Sequence, residues 1–508
     1  MKKLFSILML IHVVNSARIL GFLPTPQKSH MIIHMSVMKI LADAGHDVTV
    51  VTQIPYPDAT KNYRHIKLDI PEILDSNFLV DVVNKPRPFY KLFMDMSEMV
   101  FRTSNLTIFE PQMQHLMANE EFDLVILGYF FNDFQIGVAA HFKCPIIINY
   151  MIQPITTLND FVGNPRELSY VPNLFIEAKQ PMGLIQRLKN FIYTEVIERI
   201  LYGINDMEQR KYYNTVFPAD KYPSYDDMKK NVSLVLVNHH FISQGPIRPN
   251  VPGIVEVGGV QLKQKANPLP KDIQDFMDEA PEDGVIYFCL GSNVKKGMVS
   301  DDRAKSIFNV LSKLPQRVIM KWDEHDVPGV SKNILYKEWL PQDDTLAHPK
   351  MRLFITHGGQ GGVVESQYHG VPMVGIPLFG DQKANIANVV ESGFGLKVDY
   401  TTLDEETFST AVNEVLRNRK FRDNVKKFAE LYRDRPQTVQ ETVRYWVDYV
   451  IRHRGAKHIQ SPLVHLNFIE KNNIDLVVGL AIVLYIIVKV IWIVSRKGVR
   501  WVQKVKKE

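Results

Sequence analysis

The chain has 508 residues, of which 45% are hydrophobic and 23% are charged. These fractions exclude a largely disordered protein, and the length allows two or three domains. The formal net charge is +5, but the last fourteen residues, 495–508, carry six basic side chains and one acidic side chain, which is the whole surplus. The rest of the chain is balanced, so no basic face for nucleic acid is predicted.

The first element is a short apolar segment of the kind found in secretory signal peptides. Two lysines precede an apolar run from Leu4 to Val14, and small residues follow it. This order predicts a signal peptide over residues 1–17. The mature chain is then expected to face a lumen, where the sequons that begin at Asn105 and Asn231 are open to glycosylation.

Strands and helices alternate through the first half of the chain. Hydrophobic periodicity predicts strands at 18–23, 46–51, 124–127 and 145–149, with a helix over 30–44. The segment 182–213 is predicted to be helical and rich in aromatic residues. A helical segment with many aromatic side chains is typical of a hydrophobic core, and it also suits the wall of an apolar pocket or a contact with a membrane.

A polar segment with two prolines, 263–270, interrupts the alternation and is predicted to be an interdomain linker. Beyond it, strands are predicted at 284–290, 317–321, 351–356 and 371–376, with helices between and after them. Two β/α halves joined by a linker enclose a cleft, where ligands usually bind.

The chain ends in an apolar stretch and a basic tail. Residues 474–494 are long enough to cross a bilayer as a helix, and the basic tail 495–508 is expected to stay in the cytosol. A buried core helix is the alternative for the apolar stretch. The last five residues, Lys504 to Glu508, resemble a KxKxx retrieval signal of endoplasmic reticulum membrane proteins, with a plain solvated tail as the alternative.

A glycine-rich turn follows the strand that ends before His357. The four glycines of 358–362 allow backbone N–H groups and a helix N-terminus to face an anionic group. The spacing is not GxGxxG after a first strand and no P-loop lysine follows, which argues against a nicotinamide-dependent oxidoreductase and an NTPase. On the glycines alone, a merely flexible turn remains an alternative.

As a whole, the stretch from Trp339 to Asn385 resembles the donor-binding segment of membrane-anchored UDP-glycosyltransferases, most closely the insect branch. The motifs that carry the resemblance are Trp339-Leu340-Pro341-Gln342, His348-Pro349, the run from Phe354 to Gly359, Glu365, His369-Gly370, Pro372, Pro377, Asp381-Gln382 and Asn385. The likeness extends to the signal peptide, 290–292, 452–458, the apolar span and the basic tail.

The resemblance implies an α/β fold of the GT-B type, in which two Rossmann-like parallel-sheet domains face each other across a cleft. The N-terminal domain (18–262) would bind the acceptor. The C-terminal domain (271–473), which ends in a return helix, would bind the UDP-sugar. One transmembrane helix (474–494) would follow.

The resemblance also assigns roles to the donor-side residues. Trp339 would stack on the uracil ring, Gln342 would bind uridine, and Glu365 would accept hydrogen bonds from the ribose hydroxyls. The remaining assignments place the diphosphate at Ser292, His357, Gly359 and the Gly362 amide, and the sugar hydroxyls at Asp381 and Gln382. Gly361 departs from relatives that carry a polar side chain there, which puts one contact in doubt.

A candidate base precedes the first long helix. Taken alone, Ser29-His30 reads as a helix cap and a surface histidine. The resemblance instead makes His30 the general base that deprotonates the acceptor hydroxyl. Many relatives carry the acid that orients this histidine where this chain has Gly128, so the nearest acid, Asp133, is predicted to take that role, with an ordinary surface aspartate as the alternative.

The expected activity is an inverting, metal-independent transfer of a sugar from a UDP-sugar to a small lipophilic alcohol or phenol. Glucose is the favoured sugar, because Val237 stands approximately where glucuronate-using relatives have an arginine. No metal or other cofactor is expected, since no Asp-x-Asp occurs in the chain. The alternative is a non-catalytic relative that binds a UDP-sugar or a lipophilic ligand. The expected location is the endoplasmic reticulum membrane, single-pass and type I with a lumenal body, and a homo-oligomer is left open.

Overall fold

The computed structural model describes residues 16–25, 27–55, 61–71, 81–83, 88–176, 178, 180–242, 247–292 and 298–506. The predicted signal peptide lies outside these residues except for its last two, and so does the end of the retrieval-like tail.

The N-terminal half is built on a seven-stranded parallel sheet with the order β3-β2-β1-β4-β5-β6-β7. Its strands are β1 (Arg18–Leu23), β2 (Asp47–Thr52), β3 (Tyr63–Lys67), β4 (Leu124–Gly128), β5 (Ile146–Tyr150), β6 (Val232–Val237) and β7 (Ile254–Glu256). The central strands β1, β4 and β5 are apolar except at Arg18, Asn149 and Tyr150, and all their residues but Arg18 are buried, because helices cover both sides of a parallel sheet.

The helices of this half connect and cover the strands. They are α1 (Lys28–Asp43), α2 (Phe89–Phe109), α3 (Pro111–Asn119), α4 (Gly137–Phe142), α5 (Thr156–Val162), α6 (Leu184–Phe191), α7 (Arg199–Val216) and α8 (Tyr225–Lys230), with a π-helical turn over Ile192–Glu198 that joins α6 to α7.

The C-terminal half repeats the plan with a six-stranded parallel sheet in the order β10-β9-β8-β11-β12-β13. Its strands are β8 (Val285–Cys289), β9 (Arg317–Lys321), β10 (Ile334–Lys337), β11 (Met351–Thr356), β12 (Met373–Gly375) and β13 (Gly395–Lys397). Its helices are α9 (Lys271–Asp278), α10 (Asp301–Leu311), α11 (Gln342–Leu346), α12 (Gln360–His369), α13 (Gln382–Glu391), α14 (Glu405–Arg417) and α15 (Arg419–Arg433).

Each sheet has a point where the strand order changes direction. In the first sheet β1 pairs with both β2 and β4, and in the second β8 pairs with both β9 and β11. Loops at the carboxyl ends of the central pair diverge there, which leaves a crevice for a ligand. The predicted α/β architecture of two parallel-sheet domains is confirmed.

After the second sheet the chain returns to the first domain. Helix α16 (Val439–Arg452) buries Val443, Val447 and Val450 in the hydrophobic core of the N-terminal half. Further along, the Ser461 side chain lies against Gly163, and the Lys471 ammonium is 3.4 Å from an Asp160 carboxylate oxygen. The last helix is therefore attached to the N-terminal half.

Two apolar surfaces, one on the last helix and one on the N-terminal half, lie next to each other where the chain returns to that half. Short helix α17 (Phe468–Lys471) leads into α18 (Ile474–Val505), in which Ile474–Trp501 is long and apolar enough to span a membrane. Close by, the Arg199 guanidinium lies 5.5 Å from the Phe468 ring. Helices α6 and α7 and the π-helical turn between them present exposed apolar side chains, here called the apolar face, at Leu184, Ile185, Leu188, Phe191, Ile192, Val196, Ile200, Ile204 and Met207.

Candidate functional site

His357 lies in a slot made by two glycines at the carboxyl ends of β8 and β11. A Cβ atom on Gly291 would come within 2.7 Å of His357 Nε2, and one on Gly359 within 2.6 Å, so the ring fits only because both are glycines. Gly291 also has φ +98°, which other residues rarely adopt. Burial, and secondarily the Lys321 charge, lowers the pKa of His357 to about 4. The neutral ring next to the N-terminus of α12 can donate a hydrogen bond to an anion.

Gln342 and Glu365 form a polar pair beside the same helix. Gln342 Nε2 donates to Glu365 Oε2 at 2.5 Å, and the Tyr287 hydroxyl donates to Gln342 Oε1 at 3.2 Å. A Cβ on Gly362 would lie 3.1 Å from Gln342 Nε2, which places the backbone of the glycine turn against this pair. Burial raises the pKa of Glu365 to about 8 against the opposing effect of the Gln342 hydrogen bond, so the carboxyl group holds a proton at neutral pH.

Asp381 and Gln382 stand at the start of α13, near the glycine turn. Asn385 Nδ2 donates to Asp381 Oδ2 at 2.7 Å and to the Gly358 carbonyl oxygen at 3.0 Å, which holds the aspartate against the turn. Gln382 Oε1 accepts from the backbone N–H groups of Leu378 and Phe379, so its amide nitrogen is the group left for a ligand. Burial raises the pKa of Asp381.

Ser292 and Gly361 complete the donor side. Ser292 is half-buried and follows Gly291 directly, in the loop after β8. A Cβ on Gly361 would meet no atom within 4 Å, so the turn has room for a side chain at this position. The structure thus brings the predicted donor residues together at one edge of the second sheet.

One contact and one electrostatic effect link this edge to the N-terminal half. The Lys28 ammonium at the start of α1 lies 5.0 Å from the centroid of the Trp339 ring, a side chain that is 50% exposed. Burial, and then the nearby Asp381 carboxylate, raises the pKa of Tyr150 at the end of β5. Both carboxyl-terminal edges therefore face the same cleft.

His30 lies two residues after Lys28, in the first turn of α1. Its side chain is half-buried, its Nδ1 atom is buried, and its ring packs 5.2 Å from the ring of Phe130. Burial lowers the pKa of His30 to about 4. A small pocket beside it is lined mainly by apolar groups: Pro24, Thr25, Gln27, Met99, Val100, Thr103, Gly128, Phe130 and Asn132.

Asp133 does not meet His30, which corrects the pairing expected from the sequence. Asp133 Oδ1 accepts a hydrogen bond from the Tyr129 hydroxyl at 2.7 Å, and His30 Nδ1 has no hydrogen-bond partner among the described residues. The carboxyl group lines a separate cavity of about 280 Å³ with Lys229 and Asp206. The loop after β4 turns through Phe131, which has φ +55°, before it reaches Asp133. Burial raises the pKa of this carboxyl group.

Sequence reasoning missed His34, one helical turn after His30. The side chain is fully buried, and neither ring nitrogen has a hydrogen-bond partner among the described residues. Burial, and secondarily the charge of His30, lowers its pKa to about 3. The i, i+4 spacing of two histidines was a signal in the sequence, since such residues share a helix face.

The two sequons differ in exposure. Asn231 is exposed and follows the last residue of α8, while Ser233 of the same sequon is buried in β6. Asn105 lies inside α2, half-buried, and its Thr107 is fully buried with its hydroxyl donating to the Thr103 carbonyl oxygen. Only Asn231 therefore stands on an open surface.

Comparisons with known proteins agree over nearly the whole chain. A family model described as "UDP-glucoronosyl and UDP-glucosyl transferase" matches residues 10–508. UDP-glycosyltransferase UGT5 of Dactylopius coccus is 33% identical over 494 residues, which cover 95% of this chain and 92% of that protein. UDP-glucuronosyltransferase 2B15 of Homo sapiens is 29% identical over 508 residues, which cover 94% of each. A solved UDP-glucosyltransferase from Polygonum tinctorium, in complex with 3,4-dichloroaniline, has the same fold, with a TM-score of 0.59 and 17% sequence identity. The match covers 86% of this chain and 99% of that chain.

Proposed function

Because the chain belongs to the family of UDP-glucuronosyl and UDP-glucosyl transferases and so transfers sugar from a UDP-sugar, we propose that it moves glucose to a hydroxyl group of a small lipophilic acceptor. In this proposal the anomeric configuration inverts and His30 is the general base. The N-terminal half (18–262) binds the acceptor, and the C-terminal half (271–473) binds the donor.

The observation that carries the proposal is the contact between Lys28 and Trp339. The Lys28 ammonium lies 5.0 Å from the centroid of the Trp339 ring, so the start of α1, with His30 two residues further on, borders the same cleft as the donor motif. A general base and a sugar donor must share one cleft because the proton and the sugar move between the same two molecules. Lys28 covers the ring face on which a uracil would stack, so it is expected to move aside when the nucleotide binds.

The proposed roles of the donor residues agree with their surroundings. Glu365 and Gln342 suit the uridine ribose and base, because the carbonyl oxygen of a protonated carboxyl group still accepts a hydrogen bond from a ribose hydroxyl. His357 and the N-terminus of α12 stabilise the diphosphate as negative charge develops on the departing UDP. Asp381 and the amide nitrogen of Gln382 bind sugar hydroxyls.

The proton transfer uses one nitrogen of His30. Its Nδ1 atom is buried, so Nε2 is the atom that accepts the proton from the acceptor hydroxyl. The acceptor oxygen attacks the anomeric carbon from the face opposite to UDP, and the C–O bond to the diphosphate breaks with inversion. A positioned base of this kind typically contributes 10²- to 10⁴-fold in rate.

Glucose is proposed as the sugar because the site lacks a cation in the expected place. Val237 ends β6 and is fully buried, so it provides no partner for the carboxylate of glucuronate. A higher kcat/KM with UDP-glucuronate than with UDP-glucose would contradict this part of the proposal.

The test is turnover by the full chain in detergent or microsomes. Radiolabelled UDP-glucose and a panel of phenols and alcohols should give labelled glucosides, and His30→Ala should abolish them while UDP still binds. UDP binding without turnover of any acceptor would overturn the proposal.

We further propose that the protein resides in the endoplasmic reticulum membrane with its body in the lumen. Helix α18, the basic residues after Val494 and the apolar face beside Phe468 support this orientation. Endoglycosidase H should increase the mobility of the wild type, and Asn231→Gln should remove most of that shift. Degradation of the body by protease added outside sealed microsomes would contradict the lumenal orientation.

A further inference from the structure

The chain passes from the first half to the second within a few residues. Val260 belongs to the hydrophobic core of the N-terminal half. Leu262, two residues later, instead packs with Val364 of α12 and Tyr432 of α15. Between them the chain makes a tight turn, in which the Leu262 N–H donates to the Gly259 carbonyl oxygen at 2.9 Å. The apolar contacts thus change from one half to the other before the polar segment 263–270 begins.

The turn is fixed to the N-terminal half on one side. The Gly258 N–H donates to the His239 carbonyl oxygen at 2.9 Å, and the Gly259 N–H donates to Asn238 Oδ1 at 2.8 Å. A Cβ on Gly258 would lie 2.5 Å from the backbone carbonyl carbon of His239, so only a glycine allows the two segments to approach this closely. These contacts hold the start of the turn against the end of β6.

Two aspartates of α11 hold the polar segment 263–270 on the other side of the turn. The buried Asp344 carboxylate accepts hydrogen bonds from Lys263 Nζ at 2.5 Å and from the Asn267 N–H at 2.7 Å. The Lys263 N–H donates to Asp343 Oδ2 at 3.1 Å. Charge-assisted hydrogen bonds to a buried carboxylate are stronger than those between neutral groups. Residues 263 and 267 are therefore both fixed to α11.

The helix that holds this segment also carries a donor residue. Gln342 begins α11 and donates to Glu365 of α12. Asp343 Oδ1 lies 2.6 Å from Nε2 of His369, which follows Glu365 by one helical turn. Two polar pairs thus join α11 to the same face of α12. Lys263 is therefore attached to the pair of helices that presents Gln342 and Glu365.

One weaker contact links the segment to the return helix. Gln264 Nε2 donates to Gln440 Oε1 of α16 at 3.5 Å, in an exposed pair at the limit of a hydrogen bond. Further along the segment, the buried Leu269 side chain packs in a hydrophobic core of the C-terminal half. The stronger contacts thus place the segment with the C-terminal half.

We propose that Asp343 and Asp344 are positioning residues of the transfer reaction. They make the segment 263–270 a fixed part of the donor half and confine the flexible part of this connection to residues 260–262. The inference rests on the proposed binding of the acceptor by the N-terminal half.

The length of the flexible part matters because donor and acceptor bind to different halves. The acceptor oxygen must lie in line with the anomeric carbon, so the distance and the angle between the halves decide how often the reactive geometry forms. A connection of three flexible residues allows fewer relative positions than one that is flexible from 260 to 270. A misplacement of about 1 Å can lower a rate about 100-fold.

The first test moves one insertion by three residues. Two glycines are inserted in the full chain either between Leu262 and Lys263 or between Lys265 and Ala266, where the segment is exposed between its fixed points at 263 and 267. We expect the first insertion to lower kcat with UDP-glucose and a phenol at least about tenfold, because it lengthens the connection between the halves. The second should leave kcat within about twofold, since short insertions in exposed loops are tolerated.

The affinity for UDP, measured by calorimetry, should stay within about threefold in both insertion variants, which shows that the donor half is folded. Equal effects of the two insertions on kcat would overturn the inference, because the whole segment would then behave as one flexible linker.

The second test removes the contact itself. Asp344→Ala should lower kcat about 10- to 100-fold, and Lys263→Ala, which removes one of the two donors, should lower it about threefold. The double variant should be no slower than Asp344→Ala, because both changes break the same contact. Lys265→Ala is the matched control, since its side chain is exposed, and it should leave kcat unchanged. A higher KM for UDP-glucose at an unchanged kcat would overturn the inference, because Asp344 would then serve the donor pocket alone.

The third test needs no turnover. The Lys263 and Asn267 N–H groups donate to Asp343 and Asp344, so both should exchange slowly with deuterium in the wild type. Asp344→Ala should speed the exchange of a peptide that contains 263–267 at least about tenfold, and Lys265→Ala should not. Unchanged exchange in Asp344→Ala would overturn the inference.

The exchange measurement also separates this inference from the proposed function. A wild type that glucosylates no acceptor would contradict the proposed function, and the exchange rates would still decide whether the segment is fixed to α11. If Asp344→Ala does not fold, Lys263→Ala takes its place in both assays.

Discussion

The two edges of the cleft satisfy their polar groups in different ways. On the donor edge, Glu365 pairs with Gln342 and Asp381 pairs with Asn385, so the groups are held in place before a ligand arrives. On the other edge, His30 and His34 carry buried ring nitrogens without partners among apolar neighbours. Fixed polar groups suit the binding of one charged nucleotide. An apolar pocket with few polar groups can instead bind acceptor molecules of different structures. Four changes probe this contrast, ordered from the largest expected effect to the smallest.

Replacing His30, the proposed base, should distinguish an effect on the chemical step from an effect on donor binding most clearly. His30→Ala should lower kcat by about 10²- to 10⁴-fold, because the acceptor proton loses its acceptor atom. The affinity for UDP, measured by calorimetry, should stay within about twofold, since the donor residues lie on the other edge. A large loss of UDP affinity would show that the two edges are not independent.

Removing the exposed indole should affect the donor alone. Trp339→Ala should raise the KM for UDP-glucose by about 10- to 100-fold, as base–aromatic stacking contributes about 1–3 kcal/mol. Trp339→Phe, which keeps an aromatic face, should recover most of the affinity. A change in kcat without a change in KM would argue against stacking.

The buried carboxyl group of Glu365 should make stability depend on pH. Its pKa of about 8 lies above the ordinary value of 4.5. Between these two pH values the folded chain keeps a proton that the unfolded chain has lost. The free energy of unfolding therefore falls by at most about 1.4 kcal/mol per pH unit as pH rises. This loss of stability is complete above pH 8. The side chain of the Glu365→Gln variant cannot ionise. Its melting temperature should therefore rise relative to that of the wild type between pH 5 and pH 8. A constant difference over that range would contradict the buried, protonated state.

Removing the acid nearest to His30 in the loop should matter least. Asp133→Asn keeps an acceptor oxygen for the Tyr129 hydroxyl, so kcat should fall by less than about threefold. A loss as large as that of His30→Ala would mean that Asp133 reaches His30 during turnover. The melting temperature, measured alongside, separates a catalytic effect from a loss of folding.

The donor edge could be predicted from the sequence because its determinants are local. The glycines of 358–362, Glu365 and Asp381 belong to one contiguous segment, and strand-to-helix turns place such residues at the carboxyl edge of a sheet. The two-sheet architecture also followed from the alternation of apolar runs. Short edge strands such as β3 and β13 were missed, because few residues in them are fully buried.

The base side could not be predicted in the same way because it depends on how separate segments meet. The distance in sequence suggested Asp133, but the backbone turn at Phe131 sends that side chain toward Tyr129 and Lys229. The surroundings of His34 depend on Gly128, which ends a strand almost a hundred residues away in sequence and lies against the His34 ring. Tertiary contacts of this kind leave no periodic signal.

The return of the chain to its first half decides which half carries the apolar helix. Helix α16 and the contact of Lys471 with Asp160 attach α18, the candidate membrane span, to the N-terminal half. In the proposed membrane orientation, the half that is proposed to bind the acceptor is therefore the one anchored beside the lipid. The C-terminal half is joined to that anchored half through the chain segments on either side of it.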